Sequence, residues 1–299
     1  MDPNYIMPAQ NRTRDHQYRD ALNQILKVFG DKEYYMKNPH QEFGTYSIQT
    51  VSPFYFKLEN GFPLITERKI SFWRKPIAEI LAFIHGARTV KELSGWGCNW
   101  WEKWGTKEKC DQFELAEGDL GFGYGPGFVR DGFNQFEHLI KQIGENPNSR
   151  THIIDPWIPQ YCLGHSEHKR KVVVAPCHGW IHITIINGKL TLRMNQRSAD
   201  FVIGVPSNII QYAALTIMIA HVTGYEPYMY IHAPQDSQIY ENQKEAVETM
   251  LSRRQTVFPT LLLTKEGEKV NNLFDFRPEH FELSDYYPHP AILNIPVTL

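Results

Sequence analysis

Apolar residues recur at helical spacing from Asp15 onward, at Tyr18, Ala21, Leu22, Ile25, Leu26 and Phe29, and Gly30 is placed to end that helix. The preceding stretch, 1–14, carries two prolines and several amides and reads as an irregular tail. Residues 45–58 are rich in Thr, Tyr, Val and Phe, which predicts strands closed by the turn Glu59-Asn60-Gly61. A second helix is expected from about Pro76 to Ile84, with proline near its first turn and Gly86 just past its end. A third, amphipathic, runs from about Phe133 to Ile143, ahead of the turn cluster Asn146-Pro147-Asn148-Ser149.

The middle of the chain changes period. Trp180 to Ile186, Asn187-Gly188 and Lys189 to Asn195 read as a hairpin, and Leu190, Leu192 and Met194 alternate with polar residues, so one face is buried. The apolar run Val172 to Val174 reads as a strand leading up to that hairpin. A long apolar helix is expected from about Ile209 to Val222, ending near Gly224, and another strand covers Tyr228 to His232. Helices and strands mix without a βα repeat of fixed period, which predicts an α+β fold: a large sheet with packed helices. At 299 residues the chain is about the length at which one core stops growing, and no linker interrupts it, so 15–299 is expected to form one domain.

Composition narrows the class. Hydrophobic residues at 42% and charged residues at 21% are ordinary for a globular chain. A net charge of −2 supplies no cationic field for a polyanion, so no nucleic-acid partner is expected. No uninterrupted apolar run approaches the roughly 18 residues of a membrane span, and Met1-Asp2-Pro3-Asn4 lacks the apolar core of a signal peptide. A cytoplasmic location without membrane partners is therefore expected. Cys98, Cys110, Cys162 and Cys177 show no Cys-x-x-Cys pairing and are too sparse for a disulfide scaffold, so each is expected to be a free thiol. On its own, any of them reads as a small buried hydrophobe.

Chemistry enters at a few positions. Cys177, in Ala175-Pro176-Cys177-His178, is placed like a presented nucleophile, whose thiolate needs nearby positive charge from His178 or Arg197. The cluster Gln196-Arg197-Ser198-Ala199-Asp200, followed by Gly204-Val205-Pro206-Ser207-Asn208, has two readings. It suits a phosphate and the edge of a heterocycle, and it equally suits a strand end followed by a helix cap. Glu79 sits among Ile77, Ile80 and Leu81, and taken alone is expected on the exposed edge of its helix. The segment from Cys98 to Trp104 packs three tryptophans into seven residues, more than a surface loop usually carries. The glycine-rich run from Gly118 to Gly127 is neither a dinucleotide nor a P-loop signature, and reads as backbone folded tightly around Tyr124.

Taken together and in order, Ala175-Pro176-Cys177-His178, Gln196-Arg197-Ser198-x-Asp200, Gly204-Val205-Pro206-x-Asn208-Ile209 and Asp236-x-x-Ile239-Tyr240-x-Asn242 closely resemble the thymidylate synthase family. The resemblance runs from Asn60-Gly61-Phe62-Pro63-Leu64 to Tyr287-Pro288-His289-Pro290 and the C-terminus. It implies a homodimeric α+β enzyme that uses 5,10-methylenetetrahydrofolate and a pyrimidine nucleoside monophosphate, without a metal. By the same resemblance, Cys177 is the nucleophile that adds to C6, and Glu79 organises proton transfer near the base. Tyr124 and His178 line the cavity where the C5 proton leaves. Arg197, Ser198 and Arg150 match phosphate ligands, Arg150 coming from the neighbouring subunit. Asn208 matches the residue that pairs with the base, with Gln196 in the same substrate-binding motif. Tyr240 matches a sugar contact. Asp200, Gly204, Trp101, Trp104 and the C-terminal Thr298 fall at folate-binding positions.

Departures from the family cluster in the nucleotide pocket. The loop Asn38-Pro39-His40-Gln41-Glu42-Phe43-Gly44-Thr45 has no arginine where the family supplies a phosphate ligand, Arg150-Thr151 replaces two consecutive arginines, and Gln238 stands where the family has a histidine. These changes imply a specialised hydroxymethylase or methylase with altered nucleotide selectivity. Asn208 favours a uracil nucleotide, while its amide, donor and acceptor at once, leaves a cytosine nucleotide open. Two alternatives stand beside this reading: an ordinary methylation of dUMP, and a catalytically weak nucleotide- or RNA-binding member.

Overall fold

The computed structural model describes residues 5–38 and 41–297. Its architecture is α+β, as the pattern predicts. A five-stranded sheet has the spatial order Phe54–Lys57, Glu226–Pro234, Lys189–Gln196, Trp180–Ile186, Ile153–Ile154. The sheet is mixed: Glu226–Pro234 runs parallel to Lys189–Gln196 and antiparallel to Phe54–Lys57. A second sheet joins Tyr35–Met36, Thr45–Ile48, Ser237–Tyr240 and Ala199–Asp200. The two strands expected within 45–58 thus serve different sheets.

The hairpin forms in the predicted register, with Ile186 opposite Lys189. Asn187 and Gly188 both take positive φ, 51° and 76°, as the tightest hairpin turn requires. Leu190, Leu192 and Met194 are fully buried on one face. Packed on the sheet is the helix Gly204–Thr223, which begins five residues earlier than expected because Pro206 falls in its first turn, where proline is tolerated. It ends at Gly224 in the left-handed conformation. Although long and apolar enough to cross a membrane, this helix has 83% of its most apolar stretch buried inside the protein. The helix Gln135–Glu145 starts where Asn134 accepts hydrogen bonds from the N–H groups of Phe136 and Glu137.

Two expectations fail for identifiable reasons. The helix Arg74–Ile84 packs against Gly204–Thr223 and buries every residue from Pro76 to Ile84, so it has no exposed edge to offer Glu79. Val172 to Val174 does not form a strand of the sheet. Gly121 lies too close to that segment to carry a side chain, its missing Cβ falling 2.2 Å from the Lys171 carbonyl. The segment instead pairs with the glycine-rich loop, through Phe122 N–H to Lys171 O and Val173 N–H to Leu120 O. Residues 6–14 are irregular apart from a 3₁₀ turn at Ala9–Asn11, yet they are docked on the body. Arg12 is buried and donates to Met7 O, Phe258 O and Thr260 Oγ1 at 2.8, 2.9 and 2.6 Å.

Candidate active site

Cys177 lies in the loop between the Val172 bridge and the strand Trp180–Ile186, partly exposed, while Cys98, Cys110 and Cys162 are buried. Three features hold it. Its backbone N–H donates to the Tyr124 hydroxyl at 2.9 Å, and its Sγ lies 3.5 Å from Ala175 O. The Arg197 guanidinium bonds the carbonyls of Pro176 and Ala175 at 2.8 and 3.0 Å and places Nη2 3.6 Å from the sulfur. A cation is thus fixed to the loop that carries the thiol, beside the sulfur. Tyr124 spends a lone pair on the Cys177 N–H and keeps its own proton for whatever enters the cavity. The ring is clamped between Phe83 and His178, with centroids 4.6 and 4.5 Å away.

His178 is not the second cation. Burial, reinforced by the nearby His232 and Arg197, pushes its pKa down to about 3, and its Nδ1 lies 2.7 Å from the Tyr212 hydroxyl. It is a neutral imidazole at physiological pH. His232, beside the Tyr230 hydroxyl, is pushed down to about 3 by the same burial. Below the ordinary histidine pKa of about 6.5 the unfolded chain takes up protons that these rings refuse, so acidification between those values favours unfolding. At pH 5 each ring then costs ~2 kcal/mol of stability relative to pH 8. We therefore expect His232→Gln to remove one such loss. Denaturant titrations at pH 8 and pH 5 should show wild type losing ~2 kcal/mol more than the variant, and equal losses would refute the neutral ring.

Glu79 is enclosed by donors. The indole N–H groups of Trp100 and Trp101 and the Cys98 thiol all point at Oε1, and Gln211 Nε2 donates to Oε2 at 2.5 Å. Burial pushes its carboxyl above the usual range, and the donors partly offset that. Gln211, on the helix Gly204–Thr223, accepts in turn from Asn208 Nδ2 at 2.8 Å. Asn208 Oδ1 accepts from Gln196 Nε2 at 3.1 Å. Gln211 escapes sequence reasoning because it lies within an apolar run, where a glutamine carries no motif.

A cavity of about 530 Å³ opens on this group. Cys177, Tyr124, His178, Gln196, Arg197, Ser198, Asp200, Gly204, Asn208, Gln238, Tyr240 and Trp104 all line it. Glu79 stands behind the wall, reached through Gln211, and Trp101 turns its indole N–H to Glu79 instead of facing the cavity. Ser198 donates to Asp236 and accepts from Gln238, both at 3.3 Å. Gln41, from the loop without arginine, donates to the Tyr240 hydroxyl at 2.8 Å. Arg150 is exposed and does not line the cavity of its own chain. Thr298 lies outside the described residues, as do Pro39 and His40. The chain end nevertheless approaches the site, since Gln243 bonds both Tyr240 N–H and Pro296 O.

Arg170 also lines the cavity and was not singled out in the sequence, where it lies in the polar stretch 163–171. Its guanidinium stacks on Phe113 at 4.4 Å. Burial lowers its pKa, the Cys162 thiol opposes that and the nearby Arg197 adds to it. Gly204, whose missing Cβ would lie 3.6 Å from Asp200 Cβ, leaves bare backbone on the cavity that Asp200 and Trp104 also line. Among the described residues no cluster of His, Cys, Asp or Glu could hold a metal ion.

This arrangement suits an enzyme that works through a cysteine. A family model described as thymidylate synthase matches residues 16–298. The chain is 31% identical to human thymidylate synthase over 312 aligned positions, covering 97% of this chain and 96% of that protein. It is 32% identical to the thymidylate synthase of Herpesvirus ateles over 299 positions, covering 93% and 96%. The chain belongs to the thymidylate synthase family, whose members are one-carbon transferases using methylenetetrahydrofolate.

Proposed function

We propose that the protein transfers a one-carbon unit from 5,10-methylenetetrahydrofolate to C5 of a pyrimidine nucleoside monophosphate, through an adduct between Cys177 Sγ and C6 of the ring. The observation that carries this reading is the Cys177 thiol beside the Arg197 guanidinium, on the same cavity as the Asn208 amide. Addition of the thiolate to C6 moves the ring electrons onto C5, which becomes the carbon nucleophile. The C5 proton must then leave; Glu79, by way of water, is the group that takes it up, while Tyr124 keeps its own proton on the cavity wall. Asp200, Gly204 and Trp104 face the folate, which supplies the carbon.

Arg197 and Ser198 hold the phosphate, with Arg150 supplied by a second copy of the chain. Arg170 takes up the charge left unmatched by the arginines that this chain lacks. Gln41 and Gln238 around Tyr240 replace charged or aromatic contacts with amides, and this supports an altered nucleotide selectivity. Two products branch from one exocyclic methylene. Hydride from tetrahydrofolate gives a methyl group and dihydrofolate, whereas water gives a hydroxymethyl group and leaves tetrahydrofolate. Our reading is a specialised methylase or hydroxymethylase that acts in the cytoplasm. Tritium release from C5-labelled UMP, dUMP, CMP and dCMP with methylenetetrahydrofolate tests it, and absorbance of dihydrofolate separates the products. Release from at least one nucleotide is expected, and none from all of them would overturn the proposal.

A further inference from the structure

We propose that Gln211 determines which pyrimidine the site accepts, by locking the Asn208 amide in the orientation that reads uracil. The inference deepens the function proposed above and rests on the base lying against Asn208. Its basis is the polarity of a buried hydrogen-bond chain: Gln196 to Asn208, Asn208 to Gln211, Gln211 to Glu79, at 3.1, 2.8 and 2.5 Å.

An amide reverses its donor and acceptor ends by turning over, so three amides in a row have two possible polarities. Obligate groups at both ends choose between them. At one end Glu79 Oε1 is occupied by two indole N–H groups, which can only donate, and Oε2 is left to accept from Gln211. While Glu79 is a carboxylate, Gln211 must turn its NH₂ to Glu79 and its oxygen to Asn208. At the other end Gln196 Nε2 donates to the Ser198 carbonyl at 3.0 Å as well as to Asn208 Oδ1. A carbonyl can only accept, so Gln196 is fixed as well.

Asn208 is caught between them, with Nδ2 committed to Gln211 and Oδ1 to Gln196. What it can still offer the cavity is one N–H and one oxygen lone pair. In that order these match the O4 acceptor and the N3–H donor of uracil. Cytosine presents an amino donor and a bare N3 instead, and matches only an Asn208 turned over. Turning Asn208 over would set its oxygen against the Gln211 oxygen and its NH₂ against that of Gln196. Buried mismatches of this kind are costly, because neither group regains water.

Two variants and one measurement test the relay: calorimetric binding of dUMP and dCMP to the full chain. Gln211→Met keeps the length and volume of the side chain and removes both amide ends. With one anchor gone, the preference for dUMP over dCMP should fall about tenfold. Glu79→Gln should lower it further. Its oxygen is still claimed by the two indoles, so its NH₂ faces Gln211, which must turn over and present NH₂ to Asn208. A side chain that merely fills space would weaken both nucleotides alike and leave their ratio unmoved. An unchanged ratio in both variants, or a larger loss in Gln211→Met than in Glu79→Gln, overturns the relay alone. Failure of the wild type to bind either nucleotide overturns the relay together with the function it rests on.

Discussion

Cys177→Ser should lower single-turnover tritium release by at least roughly 10³-fold while nucleotide affinity stays within a few-fold of wild type. The reason lies in what surrounds the sulfur. Sulfur is the stronger nucleophile and has the Arg197 guanidinium beside it, whereas an alcohol must be deprotonated by a base during attack. The imidazole next in sequence cannot serve. His178 has its pKa pushed down to about 3 and its Nδ1 engaged with the Tyr212 hydroxyl, so it has little affinity for a proton. Tyr124 is itself a donor whose burial drives its pKa well above the phenol range. A serine here would remain an alcohol. A release rate within tenfold of wild type would exclude the covalent route.

Glu79→Gln is expected to lower kcat by about 10²-fold or more, beyond any change in base preference. Among the titratable groups gathered at the site, Tyr124 and Tyr212 bind their protons too tightly, and His178 binds one too weakly. Glu79, like Asp200 on the cavity wall, is displaced by burial upward from the carboxylate range, towards the pH at which the enzyme would work. It can therefore both hold a proton and give one up. The pH profile of kcat supplies the check. Wild type should show an acid limb above the ordinary carboxylate range, and the variant should show none. A variant that retains that limb would assign it to another group.

What was legible in the chain followed from periodicity and from clustered motifs. The Asn187-Gly188 hairpin, its buried alternation at Leu190, Leu192 and Met194, and the helix from Asp15 onward all carry signals contained within a few residues. The motifs around Cys177 and around Arg197-Ser198 are compact in the same way, and the fold brings them to one cavity. The misreadings were set by distant partners. Glu79 looked like a solvent-facing residue because nothing in its own helix reveals that Gly204–Thr223 covers it. Val172 to Val174 has strand composition, but its neighbour is a glycine loop with no ladder to offer. Gln211 and Arg170 carry no local signature at all. Their meaning comes from groups 132 residues away, in the case of Glu79, and from a cavity assembled from several loops.

The docking of Arg12 changes how the ends of the chain should be regarded. The stretch with the least pattern supplies a buried guanidinium whose acceptors lie at 258 and 260, and Thr260 also bonds Asp285. The beginning and the last fifth of the sequence are thus buttoned together on the surface beside the core. A version of the protein trimmed at residue 15, where the recognisable helix starts, would leave the Phe258 carbonyl and the Thr260 hydroxyl without their donor. It would loosen the C-terminal segment that leads back, through Gln243 and Pro296, to the mouth of the active site.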